Sequence, residues 1–107
     1  MAHQQIEQRT PELYGVIGTM DFENAATLEK EGFEVLDEVK DRLILDFSSI
    51  ERVNSAGAVI LLSWLRYALK TGKGIEFQRL PEQFLKVLEV SDLMEILPIN
   101  LSANPSA

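Results

Sequence analysis

The residues from Leu43 to Gly57 leave this chain few folds to choose from. An apolar run (Leu43, Ile44, Leu45, Asp46, Phe47) is followed by a short polar break. A turn of small residues (Asn54, Ser55, Ala56, Gly57) then opens an amphipathic stretch reaching Leu69. A run with so little alternation suits a strand covered on both faces, and strand–turn–helix is the repeating unit of α/β folds. The backbone N–H groups at the start of such a helix lack intrahelical partners and lie at the positive end of its dipole. A hydroxyl there, Ser55, suits a cap or a phosphoryl group.

The flanking segments read as scaffold. Residues 5–9 and 13–18 predict a hairpin around Thr10-Pro11-Glu12, with the second run (Leu13, Tyr14, Val16, Ile17) the better strand and the first edge-like. Gly18, Thr19, Met20 and Asp21 break that pattern, and Asp21 can cap the helix expected next. Over residues 22–39 the period lengthens, placing Ala25, Leu28, Gly32, Val35, Leu36 and Val39 on one helical face. Gly32 either weakens that helix or marks a close packing contact.

Residues 42–47 predict the central strand, and 48–54 a polar break with Ile50 and Val53 turned inward. The next helix spans 55–70, its buried stripe formed by Ala58, Leu61, Leu62, Leu65, Ala68 and Leu69, with Gly72 as its stop. Residues 75–78 predict another strand. Pro81 opens a last helix carrying Phe84, Leu85, Val87 and Leu88, followed by a short turn at Leu93, Ile96 and Leu97. The expected fold class is α/β: a single sheet of four to five mixed strands with helices packed against it. The 107 residues form one domain with its core over about 5–98. Residues 1–5 are expected to be loose, and 99–107 a flexible tail.

Composition removes several functions. A net charge of −7 without basic clusters opposes nucleic-acid binding. There is no cysteine, and the single histidine, His3, lies by the amino terminus, so thiolate, imidazole and histidine–metal chemistry lack their side chains. No cofactor is expected. No apolar run approaches the ~18 residues that suggest a membrane span, and no leader-like segment opens the chain. The expectation is a cytoplasmic domain without direct membrane insertion.

Ser55 has three readings. As a cap it contributes ~1 kcal/mol, with Asn54 competing for the role. As a nucleophile it lacks a base, and that reading is rejected. As a phosphorylation switch it would add nearly two negative charges where the helix dipole tolerates them. Ala56, Gly57 and Ala58 imply a close approach, by a strand or by a partner. Trp64 and Tyr67, three residues apart, are either boundary core residues or anchors for a partner. Acidic pairs such as Asp37/Glu38 read as solvated helix faces.

The run Leu45-Asp-Phe-Ser-Ser-Ile-Glu-Arg-Val-Asn-Ser-Ala-Gly57 resembles the core motif of STAS domains, the fold of anti-anti-sigma factors. The similarity extends from Leu13 to about Leu97. The segments Trp64 to Leu69, Gly74 to Phe84 and Leu88 to Pro98 are most similar to the MlaB-like STAS subunit of phospholipid ABC transporters. That resemblance implies a non-enzymatic adaptor on the cytoplasmic face of the inner membrane. Its partner would be the ATPase subunit of a transporter that maintains outer-membrane lipid asymmetry. The alternative it implies is an anti-anti-sigma factor that binds a serine kinase/anti-sigma factor until Ser55 is phosphorylated. Either role uses a partner surface of Asn54, Ser55, Ala56, Gly57, Trp64 and Tyr67. Where the family has aspartate before the hydroxyl this chain has Asn54, a lost charge that disfavours kinase recognition more than constitutive binding.

Overall fold

The strand that begins at Arg42 does not stop at the polar break. In the computed structural model, which describes residues 3–103, β3 runs without interruption over Arg42–Val53. The other elements are β1 (Ile6–Gln8), β2 (Leu13–Met20), α1 (Ala25–Glu38), α2 (Ser55–Thr71), β4 (Gly74–Gln78), α3 (Glu82–Val90), β5 (Ile99–Asn100) and a 3-10 turn at Leu101–Ala103. They build the mixed five-stranded sheet with helices against it that the pattern predicts, in the order β1-β2-β3-β4-β5. β1 is antiparallel to β2, and every later pairing is parallel. Three successive right-handed crossovers moving in one direction across a sheet place their helices on the same face.

The break stays extended because β2 supplies a partner for it. Ile17, Gly18, Thr19 and Met20 pair with Ser49, Ile50, Arg52 and Val53. The register shifts after Gly15 and again at Gly18, whose φ of +84° costs glycine little. The predicted pattern break at Gly18 is therefore a bulge within a strand that continues to Met20.

Tyr14, Val16, Leu43, Leu45, Phe47 and Phe77 face the helices and are buried with Leu28, Val35, Leu36, Leu61, Trp64 and Phe84 in one core cluster. Phe47 meets Phe77 and Phe84 edge to face, with centroids 5.8 and 5.4 Å apart. Asp46, between Leu45 and Phe47, points to the opposite face. There it is covered by side chains rather than by a layer of elements, contrary to the expectation for this strand. Arg9 donates to its Oδ2 at 2.9 Å and Arg79 lies 3.6 Å away, while its Oδ1 accepts from Ser48 N–H. Gly15 makes room for the Arg9 guanidinium, which a Cβ would strike.

Residues 3–5 and 98–100 are tied to the fold by hydrogen bonds. Gln5 N–H donates to Glu31, its side-chain amide to the Ile17 and Thr19 carbonyls, and His3 lies between Glu34 and Glu38. At the other end Phe77 N–H donates to Pro98 O, drawing Ile99 and Asn100 onto the edge of β4. The expectations for residues 1–2 and 104–107 lie outside the described residues.

Candidate docking surface on the second helix

β2 and β3 end side by side, and the turn between β3 and α2 is tied to β2 by Asn54 N–H donating to Met20 O at 3.1 Å. Asn54 has extended backbone angles, and its side-chain oxygen accepts from Ala56 N–H at 2.9 Å. Asn54 is thus the cap, and Ser55 is the first helical residue. This decides between the two competitors: the Ser55 hydroxyl is exposed and makes no hydrogen bond among the described residues. The adjoining β2–α1 turn is held by Asp21 Oδ1, which accepts from Glu23 and Asn24 N–H. Asp21 caps that turn, whereas α1 itself begins after Asn24. At its tip Phe22 is 69% exposed.

The rest of the predicted partner surface is redistributed. Trp64 is 0% exposed, and its indole N–H donates to Glu29 O at 3.0 Å, so it is a core residue and not a partner anchor. Its ring occupies the space that Gly32 leaves open. Ala56 and Gly57 are also buried. A Cβ on Gly57 would collide with Val53 and sit 3.2 Å from the Phe84 ring, so the close approach at this turn is to β3 and α3. Tyr67 is half-buried: its ring stacks on Phe33 at 4.4 Å and its hydroxyl donates to Asp37 at 2.8 Å. That bond, then lost hydration and the Asp37 charge, hold the Tyr67 phenol above its ordinary pKa.

In place of those aromatics α2 presents other residues. Val59 is 64% exposed and Leu69 70% exposed, with the partly exposed Leu62 and the exposed Arg66 between them. Ser55, Val59, Leu62, Arg66 and Leu69 follow one another at helical steps of three and four. The predicted buried stripe is corrected accordingly: Leu69 faces outward, while Ile60 and Trp64 face the core. Ser55, Val59, Leu62 and Arg66 line a groove of about 370 Å³ between α1, α2 and the loop after α3, with Glu29, Ser63, Ser91 and Leu93 on its walls; Leu69 lies one step beyond it along α2. Ser63 donates its hydroxyl to Glu29 across this groove. The signal for this surface was present in the sequence, since α2 is apolar around most of its circumference, a pattern that leaves surplus apolar residues outside the core.

Among the described residues no three His, Cys, Asp or Glu side chains converge on a metal-binding geometry. No helix among them is long and apolar enough to cross a membrane.

Comparison with solved structures returns relatives of two kinds. A chain of the Acinetobacter MlaFEDB complex in its ATP-bound Vtrans1 conformation is 28% identical with a TM-score of 0.71, over 88% of this chain and 98% of that one. In the Vtrans2 conformation of that complex the values are 29% and 0.70, over 82% and 93%. The anti-sigma factor antagonist SpoIIAA, in its unphosphorylated form, is 16% identical with a TM-score of 0.68, over 91% and 87%, a likeness of fold. Comparison with curated proteins finds no sequence match. Residues 7–98 match the family model described as Mlab, STAS domain, and the chain belongs to that family.

Proposed function

We propose that this protein is a non-enzymatic adaptor that grips a protein partner through Ser55 and the outward stripe of α2. The observation that carries this reading is the exposure of Val59 and Leu69 on a helix whose opposite face is already core. Apolar side chains left exposed along one helix face are more stable covered than solvated, at ~25 cal/mol per Å² removed from water. Asn54 and Ser55 form the rim of this surface, with Tyr67 at its flank. The proposed partner is the ATPase subunit of an Mla-type phospholipid ABC transporter, at the cytoplasmic face of the inner membrane. The 28% identity to a chain of the MlaFEDB complex, over almost the whole of that chain, supports this choice. Purification of the tagged protein from its native cells should recover an ABC ATPase, and Val59→Asp should lose it. Recovery of a serine kinase without the ATPase would refute the transporter reading.

One observation favours a second reading. The Ser55 hydroxyl is exposed and relieved of capping by Asn54, so a kinase can reach it without unwinding α2. Under this reading the chain is an anti-anti-sigma factor whose kinase partner is released by phosphorylation. Phosphate on Ser55 in protein isolated from native cells, with Ser55→Asp blocking binding and Ser55→Ala retaining it, is the expected result. Equal binding by the two variants excludes the switch.

A further inference from the structure

We infer that the partner segment lying on α2 is an acidic amphipathic helix. This rests on α2 being the partner surface and adds the chemistry of what covers it. The chain carries a net charge of −7 with 17 Asp and Glu residues, yet none of them lies on α2, whose only charged side chains are Arg66 and Lys70. Neither makes an ion pair among the described residues. Arg66 is exposed and lines the groove next to Leu62, with Leu69 following it on the same face of α2.

No carboxylate of the neighbouring elements pairs with Arg66 among the described residues. Glu29 of α1, an anion on the opposite wall of the groove, is engaged by the Ser63 hydroxyl, and Asp37 of α1 by the Tyr67 hydroxyl. The wall formed by the loop after α3 contributes the uncharged Ser91 and Leu93, while the exposed Asp92 between them lines a separate cavity with Glu89 and Glu95. The first turn of α2 holds no acidic residue and its cap is the neutral Asn54, so the positive end of the helix dipole is uncompensated at the same surface. An apolar stripe with a free guanidinium, on an otherwise acidic molecule, matches a helix whose apolar face meets Val59, Leu62 and Leu69. A carboxylate beside that face would reach Arg66. The net charge of −7 disfavours an acidic helix on the molecule at large, so a cationic position beside apolar side chains is where it gains most.

Two synthetic helical peptides with the same leucine stripe, one flanked by glutamates and one by lysines, provide the test. Each is titrated into the ¹⁵N-labelled full chain, with shift changes read by NMR. The glutamate peptide should perturb Val59, Leu62, Arg66 and Leu69 and bind roughly tenfold more tightly than the lysine peptide, a preference that added salt reduces. Arg66→Glu, at an exposed position, should keep a dispersed spectrum and reverse the preference; Lys70→Glu should weaken it. Binding of the lysine peptide to α2 with equal or higher affinity would overturn the inference. So would binding by neither peptide, or glutamate-peptide shifts centred elsewhere. If the peptides fail while Val59→Asp still abolishes capture of the ATPase, the acidic helix is wrong and the docking surface stands. If the glutamate peptide binds as expected but no ATPase is captured, the partner assignment fails and the chemistry of the surface stands.

Discussion

Gly32 on α1 lies directly against the indole of Trp64 on α2, so closely that a Cβ at position 32 would overlap the ring nitrogen and its adjoining carbons. The two helices are locked at this point, because the same indole N–H donates to Glu29 O one turn earlier on α1. Gly32→Ala removes the ~1 kcal/mol helix penalty of glycine, but it drives a methyl group into a ring with no exposed surface. Overpacking of this kind costs about 1–3 kcal/mol and wins. Urea unfolding should show a lower midpoint for Gly32→Ala, and an unchanged midpoint would refute the lock.

Asn54 caps α2 with its side-chain oxygen, so Asn54→Ala should destabilise the protein by ~1 kcal/mol. Asn54→Asp keeps the acceptor and adds a negative charge at the positive end of the helix, a gain of about 0.3–1 kcal/mol at low salt. Thermal melts of the two variants should move in opposite directions. Asn54→Asp also restores the residue the family usually has before the hydroxyl, and so tests whether kinase recognition of Ser55 returns.

The carboxylate of Asp46 is 8% exposed and receives Arg9, Arg79 and the Ser48 N–H. Asp46→Ala leaves these donors without their acceptor, at a cost of about 1.5–3 kcal/mol. Arg79→Ala should cost under ~1 kcal/mol, because its side chain is 45% exposed and 3.6 Å from the carboxylate. Chemical denaturation of both variants checks the ranking.

Lys73, in the α2–β4 connection, donates to the carbonyls of Leu36 and Val39 at 2.7 Å each and so closes the C-terminal end of α1. Lys73→Met keeps the apolar stem and removes both bonds and the charge, for an expected loss of about 1–2 kcal/mol. Amide exchange should accelerate at Val39, whose N–H closes the last turn of α1.

Both tyrosines hold their protons above the ordinary 10.0: Tyr14 through burial and then Glu38, Tyr67 through its bond to Asp37, lost hydration and the Asp37 charge. Because the folded state favours the neutral phenol, the associated stability is fully present below pH 10.0. It is lost as pH rises through the raised folded values. Ultraviolet titration should show both rings ionising late, and Asp37→Asn should lower the Tyr67 value while leaving Tyr14 in place.

Local chemistry determined much of this protein from its sequence: the hairpin around Pro11, the apolar face of α1, the start of α2 at Asn54-Ser55 and its stop at Gly72, which adopts a φ of +73°. Each depends on neighbours within a turn or two along the chain. The direction in which α2 faces, by contrast, depends on packing between remote elements. Ile60, Leu61 and Trp64 compete with Val59, Leu62 and Leu69 for burial, and a periodicity nearly complete around the helix cannot choose between them. The choice was made at a distance, by the notch Gly32 offers to Trp64 and by the fit of Gly57 beside Val53 and Phe84. The extension of β3 through residues 48–53 was likewise set by its pairing with β2. A helix buries the face that meets the best-fitting surface, and that surface comes from elements remote in sequence.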